Sequence, residues 1–233
     1  MKEATPLGLK ILNWLSVILL AVASYLTIIW APTEAVMGNV QRVFYFHVSN
    51  GWVGMIGFLL AVFSGIMYLT KGDMKWDIIG VAGIEIGLVF SLVNIVTGAI
   101  WARPIWNTWW TWDPRLVTAT VMELVYIAYV MLRQGIEDPE RRARFGAIYA
   151  IIGFVSVPLS FLSIRIWRTI HPVVIGSADA GAKGTFDMSP DMRVAFFFSL
   201  FTFTVFAVTL LWHRIRLGRL QDSLERIKMD LMS

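Results

Sequence analysis

The chain has 233 residues, 57% of them hydrophobic and 15% charged, with a mean hydropathy of +0.67. Soluble domains carry about 25% charged residues, so the composition excludes an ordinary soluble enzyme and predicts an integral membrane protein. The net charge of +4 points to no nucleic acid, because the basic residues gather in loops and in the tail, and the lack of cysteine excludes disulfides, thiolate metal sites and a catalytic thiol.

A helix needs about 20 apolar residues to cross a bilayer. Six runs meet that need, at roughly 10–30, 48–70, 79–100, 116–133, 144–166 and 192–213. The expected fold is therefore all-α: one transmembrane domain over residues 1–233, a six-helix bundle in lipid. Lys2 and Lys10 precede the first run, and Ala21-Val22-Ala23 resembles a signal-peptidase site. The run continues through Trp30, which favours an uncleaved first span. A short charged loop (Lys71, Asp73, Lys75, Asp77) follows the second span. Residues 134–144 carry Glu137, Asp138, Pro139, Glu140, Arg141, Arg142 and Arg144, and residues 214–233 form an amphipathic basic tail.

Charge predicts the orientation. The N-terminus, loop 71–77, loop 133–144 and the tail together hold 13 of the 20 Lys and Arg: Lys2, Lys10, Lys71, Lys75, Arg133, Arg141, Arg142, Arg144, Arg214, Arg216, Arg219, Arg226 and Lys228. The opposite side holds the other 7: Arg42, Arg103, Arg115, Arg165, Arg168, Lys183 and Arg193. The positive-inside rule then places both termini in the cytoplasm. Within the spans, Gly51, Gly54 and Gly57, and Gly80, Gly83 and Gly87, recur at helical spacing and predict close helix packing. Glu85 and Glu123 are intramembrane carboxylates and thus functional candidates. No Glu/His relay crosses the membrane, which disfavours a proton-driven transporter.

Counting spans puts three unusual features on one outer face. His47 ends the run Phe44-Tyr45-Phe46-His47 before the second span, residues 101–115 join spans three and four, and His171 follows span five in Trp167-Arg168-Thr169-Ile170-His171-Pro172. The middle segment holds five of the 11 tryptophans: Trp101, Trp106, Trp109, Trp110 and Trp112. Trp106, Trp109, Trp110 and Asp113 follow i, i+3, i+4, i+7 spacing, which predicts a short helix with those residues on one face. Asp113 suits a helix N-cap, with Pro114 at the first helical position. An aromatic belt at the membrane interface also explains a tryptophan at a helix end. Five of them beside Asp113, Arg103 and Arg115 instead suggest a flat apolar shelf for a large planar ligand bearing carboxylates, with either arginine able to pair with them. His47 and His171 flank this shelf. Each is readable as a hydrogen-bonded interface residue or, together, as a pair of axial ligands to a heme iron. With no Cys-x-x-Cys-His motif, such a heme is held noncovalently. His213, between Trp212 and Arg214 at the inner end of span six, reads as an anchor.

The run Trp109-Trp110-Thr111-Trp112-Asp113-Pro114-Arg115-Leu116 resembles the tryptophan-rich "WWD" signature of heme-handling membrane proteins. The chain is most similar to the heme exporter protein C (CcmC) family of cytochrome c maturation. The likeness extends over Tyr45-Phe46-His47-Val48, Thr97-Gly98 through Leu116, Pro158, Trp167 to His171, and Ser189-Pro190 with Arg193. It implies that His47 and His171 are axial ligands to heme b, and that Trp101, Arg103, Trp106, Trp109, Trp110, Trp112, Asp113 and Arg115 contribute to the heme platform. It also implies a site in the bacterial inner membrane with the heme on the periplasmic face. The implied partners are a membrane-anchored heme chaperone, ABC-type ATPase and permease subunits and a small single-span subunit; no catalytic turnover by this chain is implied. Asn107 stands where the family usually has Gly, Ser49 where Pro commonly follows His-Val, and Pro114 is more typical of the larger cytochrome c synthases. Two other functions fit a pair of membrane histidines: a b-type electron-transfer subunit, and a transporter moving heme across the bilayer. Ligands at span ends favour an exchangeable site over a permanent redox centre, and the lack of a polar pathway disfavours transport.

Overall fold

The computed structural model describes residues 4–171 and 188–232, with the side chains of Arg226, Met229, Asp230 and Met232 excepted. Lys2, Pro172 and Lys183, named above, lie outside the described residues. The architecture is all-helical among the described residues, and six helical segments are long and apolar enough to cross a membrane. The segments are Leu7–Trp30, Asn39–Lys71, Met74–Trp106, Pro114–Gln134, Pro139–Ile166 and Pro190–Glu225.

The first segment is α1 (Leu7–Tyr25), whose last turn widens into a π-helix over Leu26–Trp30. The carbonyls freed there find a partner in Arg42, whose guanidinium donates to the Thr27 oxygen at 3.0 Å and to that of Ile28. Arg42 begins α2 (Arg42–Lys71), so the second helix starts well before residue 48. His47 therefore lies inside a helix, not ahead of one. Next, α3 (Met74–Trp106) is capped by the Asp73 side chain and is followed by α4 (Pro114–Gln134).

The fifth span is two helices, α5 (Pro139–Gly153) and α6 (Ser156–Ile166), where one was expected. Pro158 explains the break: it has no N–H to give the Phe154 carbonyl, four residues earlier. Val157 N takes that carbonyl instead at 2.9 Å, and the Ser156 hydroxyl takes Gly153 O at 2.6 Å. The last helix, α7 (Pro190–Met232), runs through the sixth span and continues unbroken through the tail.

α2 and α3 form an antiparallel hairpin at the centre of the bundle. Their glycines meet face to face: a Cβ on Gly57 would lie 2.6 Å from Gly83 O, and one on Gly83 would lie 2.7 Å from Gly57 O. Only glycine permits this approach, as the spacing in the sequence predicts. On one side, α4 and α5 pack on this hairpin, and Phe58 stacks on Tyr126 with centroids 3.7 Å apart. On the other side lies α7, with α1 against it along a polar seam. In that seam Ser16 bonds Thr209 at 2.9 Å, and His213 Nε2 bonds Asn13 Oδ1 at 2.8 Å.

Both intramembrane glutamates are paired. Glu85 holds Arg214 through two hydrogen bonds, one of them at 2.7 Å, tying α3 to α7. Glu123 is buried and accepts from the Ser91 hydroxyl, joining α4 to α3.

Candidate functional site

A cleft opens at the end of the bundle where α2 begins and α3 ends. Its walls include Phe44, His47 and Val48 of α2; Asn94, Ile95, Gly98, Trp101 and Trp106 of α3; Arg115, Leu116 and Ala119 of α4; and His171 beyond α6. Counting its open mouth and the space beyond it, the cleft measures about 670 Å³, of which the enclosed part is only about 60 Å³.

His47 and His171 face each other across it, with ring centroids 6.3 Å apart and planes tilted by 38°. Two imidazoles on opposite sides of one metal atom are spaced by two metal–nitrogen bonds of about 2.0–2.1 Å and by roughly 1 Å from each nitrogen to its ring centre. The sum is close to the observed separation. His47 is oriented by α3: its Nδ1 lies 2.9 Å from the Asn94 backbone oxygen and 3.3 Å from the Thr97 hydroxyl. A carbonyl only accepts, so this contact calls for the proton on Nδ1; the Asn94 amide nitrogen lies 3.2 Å from Nδ1 and 3.5 Å from Nε2. The Asn94 side chain donates to the His47 backbone oxygen at 2.6 Å, which fixes the register of the two helices at this level. Among the described residues no group of three or more His, Cys, Asp or Glu gathers to hold a bare ion. Two opposed imidazoles would instead suit a metal that a large planar ligand already holds.

The tryptophan-rich segment is not the helix its spacing predicts. Pro104 lies in the last turn of α3, and Asn107 follows at φ 54°, a left-handed conformation that asparagine tolerates and that ends helices. Residues 107–113 then run without helix to Asp113. The indoles divide accordingly. Trp101 and Trp106 meet edge to face at 5.1 Å and line the cleft. Trp110 and Trp112 form a second edge-to-face pair at 6.1 Å outside the lining, with Trp112 84% exposed, and Trp109 is exposed as well.

The two arginines also part. Arg115 lines the cleft, its guanidinium donating to Ser160 O at 2.6 Å and Ser160 Oγ at 2.9 Å and lying 4.9 Å from the Phe161 ring centre. It is the one described cation in the lining and the arginine placed to meet a carboxylate there. Arg103 points away, donating to Asn107 O at 2.7 Å and Oδ1 at 2.6 Å, and so closes the end of α3. Asp113 caps α4 as its sequence context predicts, accepting from Arg115 N at 3.0 Å, with Pro114 at the first position; it does not line the cleft.

Sequence reasoning missed Asn94. Its signal was present: an amide in the middle of an apolar span needs a partner in lipid, and here that partner is His47. Ile95 and Ala119 carry no signal beyond ordinary apolar span positions.

Comparison with known proteins identifies the family. The family model described as heme exporter protein C matches residues 2–230. Heme exporter protein C of Bradyrhizobium diazoefficiens is 31% identical over 170 residues, 70% of this chain and 62% of that protein, so the match spans less than two thirds of that relative's length. Heme exporter protein C of Escherichia coli is 31% identical over 209 residues, 84% of this chain and 81% of that protein. A putative cytochrome c biosynthesis ccmC-like mitochondrial protein of Marchantia polymorpha is 28% identical over 153 residues, 66% of this chain and 64% of that one.

Proposed function

The chain belongs to the heme exporter protein C family, and from that premise we propose that it holds heme b noncovalently between His47 and His171. It presents this heme at the outer face of a bacterial inner membrane to a membrane-anchored heme chaperone that serves c-type cytochrome biogenesis. The chain acts as a transport and assembly component, with ATP hydrolysis belonging to ABC-type partner subunits. A permease subunit and a small single-span subunit complete the complex.

One observation carries this reading: the 6.3 Å separation of the two imidazoles across an open cleft, with the His47 proton directed to the Asn94 carbonyl. A bound heme supplies the iron and the four ring nitrogens. The protein's part is to orient His47 through α3, to wall the cleft with Trp101 and Trp106, and to offer Arg115 to a propionate. The basic residues of loops 71–77 and 133–144 and of the tail lie at the far end from His47, which supports a cytoplasmic position for both termini. His171 sits on a non-helical segment beyond α6, a placement that favours cargo exchange over a permanent electron-transfer heme.

The test is the visible spectrum of protein purified after expression with ample heme, compared with His47→Ala and His171→Ala. A low-spin heme signal that is lost or shifted in each single variant supports the reading. A spectrum indifferent to both substitutions, or no heme at all, overturns it. Transfer of the bound heme to an added chaperone then separates delivery from electron transfer, in which the heme stays.

A further inference from the structure

The two histidines are held in place by very different means. His47 lies within α2 and is braced by α3. His171 follows a segment that leaves α6 at Trp167 in an extended conformation, after its last helical bond to Ser163 O at 3.0 Å. Trp167 and Ile170 are 44% and 52% exposed, so apolar packing does little to anchor the segment.

Asp113 supplies an anchor. A helix cap uses one carboxylate oxygen, and Asp113 Oδ1 serves α4 in that way. The same oxygen also accepts the Thr169 hydroxyl at 2.5 Å, and Oδ2 accepts the Ile170 amide at 3.0 Å. The Thr169 oxygen in turn accepts the His171 amide at 3.0 Å. A chain of hydrogen bonds thus runs from the start of α4 through Thr169 to the backbone of His171. Bonds to an ionised acceptor are about twice as strong as neutral ones, and this carboxylate receives three.

We infer that Asp113 is a positioning residue: it latches the segment 167–171 to α4 so that His171 stays opposite His47. It acts through the segment and not by touching the cargo. The assignment of His171 as a ligand rests on the proposed function above; the latch itself does not.

The experiment uses the full chain in detergent with four substitutions, Asp113→Ala, Asp113→Asn, Thr169→Val and His171→Ala. Thr169→Val matters because it removes the bridging hydroxyl and leaves the α4 cap intact. The first readout is amide hydrogen exchange in the heme-free protein. Exchange at Ile170 and His171 should rise about tenfold or more in Asp113→Ala. It should rise at His171 in Thr169→Val and least in Asp113→Asn, which keeps one acceptor oxygen, with α2 unchanged throughout. The second is the visible spectrum after heme loading. Asp113→Ala and Thr169→Val should move toward the spectrum of His171→Ala, and added free imidazole should restore all three.

Unchanged exchange in both Asp113→Ala and Thr169→Val overturns the latch. Raised exchange with a wild-type spectrum overturns its role in placing the ligand. If His171→Ala itself leaves the spectrum unaltered, the axial-ligand reading fails, and exchange alone then decides the latch.

Discussion

Gly98 of α3 lies directly against the His47 imidazole: a Cβ there would stand 2.9 Å from Cε1 and 3.3 Å from Nδ1. The absent side chain is what lets the ring seat its Nδ1 on the Asn94 carbonyl one turn away. Gly98→Ala is therefore expected to displace the ring before it disturbs the bundle, because the imidazole yields more easily than two packed helices. Changes to groups that orient a metal-binding histidine weaken binding by about 10–100-fold, and a loss of that order in heme affinity is predicted. Heme titration of the purified variant, beside its thermal unfolding, checks this. Wild-type affinity in Gly98→Ala would show that the close contact does not matter.

A tight backbone approach between helices lies deeper, at Gly57 and Gly83. Each obstructs the other through backbone atoms, which cannot rotate away. Overfilling a packed interior costs about 1–3 kcal/mol, so Gly57→Val and Gly83→Val are each expected to lower stability by at least that range. The pair should be less than additive, since either one already parts the helices. Unfolding in detergent measures both effects. Two fully additive losses would place the two glycines in separate contacts.

How much of this was legible in the sequence depends on which physical signal was read. Hydropathy gave the six crossing segments because lipid demands apolar runs, but it reports where a chain is greasy and not where its helical hydrogen bonds begin. So α2 starts at Arg42, α5 at Pro139 behind its Asp138 cap, and α7 runs on to Met232. The Asp138-Pro139 pair is a helix-start signal set among charged neighbours, whereas the same pattern at Asp113-Pro114 leads directly into an apolar run and is legible there. Residues 106–113 matched a helical period that the Pro104 and Asn107 punctuation cancels. Local chemistry outweighed spacing there. The pairing of Asn94 with His47 and of Asp113 with Thr169 spans 47 and 56 residues, distances at which no local pattern in a single sequence operates.

Asp77 and Arg133 form a bidentate pair at 2.7 and 2.8 Å that joins α3 to α4 at the end away from the cleft. Their side chains are only 11% and 13% exposed, against 44% and 54% for Asp73 and Lys75 nearby. Breaking a fully buried pair by removing one partner costs about 3–5 kcal/mol, because the other charge is left uncompensated, whereas an exposed pair contributes about 0–1 kcal/mol; this part-buried pair falls between the two. Asp77→Leu is thus expected to destabilise strongly, the double variant Asp77→Leu with Arg133→Leu to recover much of the loss, and Asp73→Asn to lose chiefly its helix cap. A double-mutant cycle on unfolding free energies is the measurement. A double variant no better than Asp77→Leu alone would show that the residues act separately.

The tryptophans give the sharpest contrast available within one motif. Trp106 lines the cleft in contact with Trp101, whereas Trp112, a few residues on, is 84% exposed outside it. If the motif acts through the cleft wall, position and not composition decides the effect. A buried aromatic anchor contributes about 2 kcal/mol or more to binding, so Trp106→Ala should weaken heme retention by at least about tenfold. Trp112→Ala should leave retention within about twofold. Both are read as the heme-to-protein ratio after extended washing, with unfolding curves to separate lost binding from lost fold. Equal losses in the two variants would instead make the whole segment, exposed indoles included, the binding surface, and the cleft would no longer define the site.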